Sequence, residues 1–85
     1  MGQFPNLNGN QIAVLWADLS TGRILDGNYK YAISGDPSAY SIYDDINDAV
    51  EYAEKVLADR DNIECWMHDR NEHVVKYLRS PIKKT

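Results

Sequence analysis

The most restrictive feature of this chain is that it contains one amphipathic helix but more apolar strand than one helix can cover. With Ile46 as the reference and a step of about 100° per residue, the apolar residues of the helical segment lie within about 80° of one direction. These residues are Ala49, Val50, Ala53, Val56 and Leu57. Because one helix shields one face of a small sheet, the other face is left to solvent, to a second copy or to a partner.

The predicted helix covers residues 44–59 and has clear signals at its start. Asp44 or Asp45 is expected to cap the free backbone N–H groups, and carboxylates in the first turn suit the positive end of the helix dipole. The polar side carries Asp48, Glu51, Lys55 and Asp59. The two alanines on the apolar side imply that the helix lies close to its sheet.

Strand-like segments lie on both sides of this helix. Residues 11–17 are rich in β-forming side chains and end at a turn over residues 18–23, where Gly22 can adopt a positive φ. The remaining assignments are a returning strand at Ile24 and Leu25, a bulge or turn at 26–28, a strand over 29–34, a loop at 35–38, and a second hairpin from 62–69 and 73–79. The predicted fold is α+β, a small antiparallel sheet of four to five strands in ββ-α-ββ order with one helix packed on one face.

The second hairpin has a predicted register that separates aliphatic from aromatic residues. A two-residue or a four-residue turn around residues 69–72 gives the same cross-strand pairs. One face pairs Met67 with Val74, Cys65 with Lys76 and Ile63 with Leu78. The other face pairs Trp66 with Val75, Glu64 with Tyr77 and His68 with His73. The aliphatic face is the natural partner of the helix.

The remaining face would display Trp66, Val75 and Tyr77, and its predicted rim is Glu64, His68, His73 and Arg79. An aromatic centre with a charged rim has the composition of a protein-binding surface. The alternative is that Phe4, Leu7, the 35–43 loop and the C-terminal tail fold across this face and close a small core. For the first hairpin, the sequence leaves open which set of alternate residues faces the helix: Ile12, Val14 and Trp16, or Ala13, Leu15 and Ala17.

Length and composition predict one domain over residues 11–79, a flexible arm over 1–10 and a basic tail over 80–85. A single cysteine fits a reducing compartment. The chain has neither an apolar run long enough for a membrane span nor a secretory signal, so a cytoplasmic protein without membrane contact is expected.

The net charge of −4 argues against binding to nucleic acid, whose phosphates attract Lys and Arg. The acidity is concentrated in residues 44–61, which hold seven carboxylates against Lys55 and Arg60. This excess is typical of a solvated outer helix face. It also makes a second candidate docking surface, for a basic protein, formed by Asp45, Asp48, Glu51 and Tyr52.

None of the residue patterns predicts catalysis, a metal or a cofactor. His68 and His73 would supply two metal ligands across the second hairpin, but a third ligand is missing. Cys65 and His68 have opposite strand parity, so they cannot form a nucleophile–base pair. Residues 20–23 lack the P-loop pattern and are interpreted as a turn.

The sequence therefore predicts a small acidic protein without enzymatic activity that binds another protein. In size and charge it is similar in type to toxin-immunity proteins and phage-encoded inhibitors, although no motif connects it to a family. The alternatives are a structural module that forms a homodimer through the open sheet face and a domain that binds a small ligand in an aromatic pocket.

Overall fold

The computed structural model describes residues 4–26, 30–31 and 39–80. Its elements are β1 (Ile12–Asp18), β2 (Ile24–Leu25), β3 (Tyr40–Tyr43), α1 (Ile46–Asp59), β4 (Ile63–His68) and β5 (Val74–Arg79). They form one antiparallel sheet with the helix packed against it, which confirms the predicted α+β fold and the hairpin–helix–hairpin order. The short strand β3, between the first hairpin and the helix, is an addition to that order.

Strand β1 is the centre of the sheet. One of its edges pairs with β3 over Ile12–Leu15 and then with β2 at Trp16 and Ala17, so β2 and β3 follow each other along the same edge. The other edge pairs with β4, and β5 lies outside β4. This central position explains why the strand has an apolar face on both sides.

The helix begins at Ile46 and is capped by Asp45, one of the two predicted caps. The Asp45 side chain accepts a hydrogen bond from the Asp48 N–H at 2.9 Å, and the helix ends where the Arg60 N–H donates to the Val56 carbonyl. Ala49 and Ala53 are fully buried against the sheet, which confirms the predicted close approach.

The core lies between this helix and one face of the sheet. Its buried members are Ile12, Val14, Trp16, Leu25, Ala49, Ala53, Leu57, Ile63, Cys65 and Met67. Of the two alternatives left open for the first hairpin, the helix therefore covers Ile12, Val14 and Trp16. The predicted helix-facing residues of β4 are all in this core.

The predicted pairs of the second hairpin are wrong by two residues. Cys65 lies opposite Leu78, Trp66 opposite Tyr77 and Met67 opposite Lys76, whereas His68 lies opposite Val74. The cause is a three-residue loop in which the Asp69 N–H donates to the His73 carbonyl and Glu72 has a φ of 64°. A register shift then follows between Met67 and His68.

The Asp69 carboxylate organises this loop. Its Oδ1 accepts hydrogen bonds from the Asn71 N–H at 2.8 Å and the His73 N–H at 3.0 Å. The hydrogen bond from His73 is the main cause of the lowered pKa of Asp69. Charge on the carboxylate therefore favours the loop that sets the hairpin register.

The first hairpin turn is tied to the end of the helix by Asp18. Asp18 Oδ1 accepts from the Ser20 N–H at 2.8 Å and from Asn62 Nδ2 at 3.1 Å. Its Oδ2 accepts from the Tyr31 hydroxyl, and the Arg23 guanidinium lies 4.0 Å from the centre of the Tyr31 ring. The predicted turn at residues 18–23 is confirmed, and Asp18 anchors it to the segment before β4.

Several predicted segments lie wholly or partly outside the described residues. They are residues 1–3 of the arm, most of the bulge or turn at 26–28, most of the 29–34 strand, the 35–38 loop and residues 81–85 of the tail. Within the described part, Phe4 packs edge-on against Tyr40 and His68, with ring centroids 5.3 and 5.8 Å apart. The predicted alternative in which Phe4 docks on the open sheet face is therefore realised for this residue.

Ser80 connects the end of the helix to the end of the sheet, a role that the sequence pattern did not reveal. Its Oγ donates to the Arg60 carbonyl at 2.8 Å and accepts from the Ile63 N–H at 3.2 Å. Its own N–H donates to the Ile63 carbonyl at 2.8 Å, and the residue is buried. One hydroxyl thus satisfies two backbone groups at the junction of α1, β4 and β5.

Ser80→Ala is expected to lower the free energy of unfolding by about 1–3 kcal/mol, because it removes the hydroxyl that hydrogen-bonds the buried Ile63 N–H and the Arg60 carbonyl. The measurement is urea unfolding followed by circular dichroism. Thr21→Ala is the control, since Thr21 Oγ1 accepts an exposed hydrogen bond from the Arg23 N–H. Equal effects of the two substitutions would contradict the proposed role of Ser80.

Candidate protein-binding surface

Strand β5 is the part of the sheet that the helix leaves uncovered. The helix packs against β1, β3 and β4. Every residue of β5 except Leu78 is exposed, and three of the exposed residues are large and apolar: Val74 at 54%, Val75 at 48% and Tyr77 at 44%. Scattered apolar residues are normal on a protein surface, but three on one edge strand make that strand a candidate contact.

The side of the sheet opposite the helix carries an apolar row that leads to β5. The register places Tyr40 beside Leu15, Leu15 beside Trp66, and Trp66 beside Tyr77. The Trp66 and Tyr77 rings are 5.6 Å apart, and the Tyr77 hydroxyl donates to Glu64 Oε1 at 2.5 Å. This hydrogen bond is the main cause of the raised pKa of Tyr77. The Tyr77 ring is thereby held in a tilted contact with Trp66, with an interplanar angle of 45°.

Val75 occupies a different position from the one predicted. It has no partner in the β4–β5 register, and it lines a surface pocket with Ile12, Asp45 and Ile46 beside the start of the helix. The extra residue of a bulge interrupts side-chain alternation, so Val75 no longer follows the alternation that would group it with Tyr77. We define the β5 surface as Trp66, Val74, Val75 and Tyr77, which includes residues on both sides of the edge strand.

The acidic residues proposed for docking lie on the helix and at its N-cap. Asp48 and Glu51 are exposed, and the Glu51 carboxylate lies 3.5 Å from Lys55 Nζ. Asp45 is engaged as the helix cap. Tyr52 is 46% exposed, and its ring lies 5.6 Å from that of Tyr43. Tyr52 and Tyr77 therefore belong to different elements, whereas Asp45 and Val75 line the same pocket, so the two predicted surfaces meet beside the start of the helix.

The two histidines do not face each other as predicted. His68 pairs with Val74, and His73 Nδ1 lies 3.8 Å from Asp69 Oδ2 within the loop. Among the residues that the structure describes, no group of three or more His, Cys, Asp or Glu side chains is arranged to hold a metal ion.

Comparison of the chain with models of protein families, with curated proteins and with solved structures gave no match. Within the described ranges, no helix has both the length and the apolar character needed to span a bilayer. The interpretation of function therefore depends on the surfaces described above.

Cys65 is expected to be unreactive in the folded protein. Burial raises the pKa of its thiol to about 11, so very little of the nucleophilic thiolate exists at pH 8. Mixing the native protein with an aromatic disulfide reagent should give slow colour development, whereas protein unfolded in guanidinium should react at once. Rapid reaction of the native protein would show that the thiol is accessible.

Tyr43 is expected to make stability sensitive to high pH. Burial, and then the nearby Tyr52, raise its pKa from 10 to about 12. Because the folded state holds the proton more tightly, the stabilisation is complete below about pH 10 and is lost as the pH rises through about 12. Urea unfolding at pH 8 and pH 11 should show a smaller pH-dependent loss for Tyr43→Phe than for the parent protein. An identical loss would exclude Tyr43 as the responsible group.

Proposed function

We propose that this chain is a non-enzymatic protein-binding module whose contact is the β5 surface. It would act as an inhibitor or neutraliser of another protein in the cytoplasm, as toxin-immunity proteins and phage-encoded inhibitors do. The observation that carries the proposal is an edge strand with apolar side chains exposed beyond the helix.

The aromatic pair gives this surface enough potential binding energy. Trp and Tyr are enriched among the few residues that dominate protein interfaces, where each contributes about 2 kcal/mol or more. Tyr77 already lies against Trp66 and donates its hydroxyl hydrogen bond to Glu64. Little side-chain freedom therefore remains to be lost when a partner covers the pair.

The acidic outer face of the helix is the alternative contact surface. The outer helix face carries the acidic excess and an exposed tyrosine, Tyr52. A basic partner would be attracted to that face, and its association rate would fall with added salt. The two surfaces can be separated because each has one half-exposed tyrosine packed against another aromatic ring.

Tyr77→Glu and Tyr52→Glu form a matched pair for testing this proposal. The two residues are 44% and 46% exposed, and each ring lies 5.6 Å from its aromatic neighbour. Tagged parent and variant proteins would be used to capture a partner from the native host, followed by titration of the purified partner. We expect Tyr77→Glu to weaken binding by about tenfold or more and Tyr52→Glu to change it little.

If Tyr52→Glu weakens binding and Tyr77→Glu changes it little, the contact lies on the acidic helix face instead. Failure to recover any stoichiometric partner with the parent protein would count against the binding function itself. Thermal unfolding of both variants controls for damage to the fold.

Self-association is the second candidate, because the apolar row ending at Tyr77 could be covered by a second copy. Sedimentation equilibrium of the parent protein measures this directly. A dimer that Tyr77→Glu converts into a folded monomer would support a homodimer in place of a partner complex.

A further inference from the structure

The outer edge of β5 has backbone groups that are available to another strand. In the part of the chain that the structure describes, β5 pairs only with β4. The Ser80 N–H donates to the Ile63 carbonyl and so points toward β4, which fixes the β5 residues whose backbone groups face β4. In an antiparallel ladder, Leu78 and Lys76 then also point their backbone groups toward β4, whereas Tyr77 and Arg79 point theirs outward.

Two exposed cations flank the apolar centre of this edge. Lys76 lies opposite Met67, on the helix side of the sheet, and Arg79 lies opposite Glu64, on the other side. Among the described residues, neither cation lies within ion-pair distance of a carboxylate. Lysine on an edge strand normally discourages pairing with another strand. Carboxylates on the incoming strand would remove that obstacle.

We propose that the partner contributes an extended segment that adds to the free edge of β5 as an antiparallel strand. The segment carries a carboxylate opposite Arg79 and a second one three residues later, opposite Lys76. The two residues between them are apolar and lie beside Leu78 and Tyr77. This inference rests on the proposed protein-binding function and specifies the chemistry that the β5 surface recognises.

The acidic residues of the helix lie on a different element from the proposed docking edge. The exposed carboxylates lie on the outer side of α1, whereas Lys76 and Arg79 lie on the edge strand that α1 leaves uncovered. Lys76 and Arg79 lie on the edge strand itself and favour an acidic segment there, although the net charge of the chain is −4.

The probe is the acetylated and amidated peptide Ser-Thr-Glu-Val-Val-Glu-Thr-Ser, titrated into isotopically labelled protein and followed by the backbone amide signals. We expect the Tyr77 and Arg79 amides to shift and to become protected from exchange with solvent. The Lys76 and Leu78 amides, which already donate to β4, should be protected with and without peptide. Lys76→Glu combined with Arg79→Glu should weaken binding by about tenfold or more.

Modified peptides test whether the contact is a backbone ladder. Methylation of the first Glu and second Val amides, which would face β5, should abolish binding. Methylation of the first Val and second Glu amides, which would point away, should be tolerated. A peptide with Lys in place of both Glu residues should bind at least about tenfold more weakly.

Strand addition is wrong if the peptide produces no shifts at millimolar concentration, if both methylation patterns are equivalent, or if the Lys peptide binds as well. Concentration-dependent shifts of Tyr77 and Arg79 without peptide would identify a second copy as the occupant and would also overturn the proposal. In each case, a partner captured by the parent protein and lost by Tyr77→Glu would leave the binding function intact. If the peptide does not bind and the parent protein also captures no partner, the proposed protein-binding function is overturned as well.

Discussion

The width of one helix limits how much of this sheet can be covered. A helix with side chains is about 10 Å across, and strands are spaced about 4.8 Å apart, so one helix covers two or three strand positions. The sheet is four positions wide, from the β2 and β3 edge through β1 and β4 to β5. The helix takes its position over β1, β3 and β4, where Trp16, Cys65 and Met67 are buried beneath it. The exposure of β5 follows from this arrangement, and so does the location of the proposed binding surface.

Polar contacts at the ends of the elements hold this two-layer arrangement together. Asp45 caps the start of the helix, and Ser80 joins its end to β4 and β5. Asp18 ties the first hairpin turn to Asn62, just before β4. Each of these side chains satisfies backbone or amide groups that would otherwise lose hydrogen bonds on folding. The apolar layers provide most of the driving force, and these contacts determine how the layers are aligned.

The predicted binding surface was located in part from the sequence. Trp66 and Tyr77 were assigned correctly to the face opposite the helix because side-chain alternation survives an error of two residues in register. Val75 was misplaced because one extra residue in a strand interrupts that alternation, and the bulge depends on the loop conformations of Asp69 and Glu72. The separation of Tyr52 from Tyr77 was predictable, since one belongs to the helix and the other to a strand beyond it.

The sequence by itself determined the helix, the presence of an aspartate cap, the two hairpins and the excess of apolar strand, since these depend on contacts between residues close along the chain. The tertiary structure decided which face of β1 meets the helix, how β2 and β3 share one edge, and why Ser80 is buried. It also decided that β5, and not another strand, remains uncovered. These outcomes depend on how segments far apart in sequence compete for one helix surface, and local periodicity contains no information about that competition.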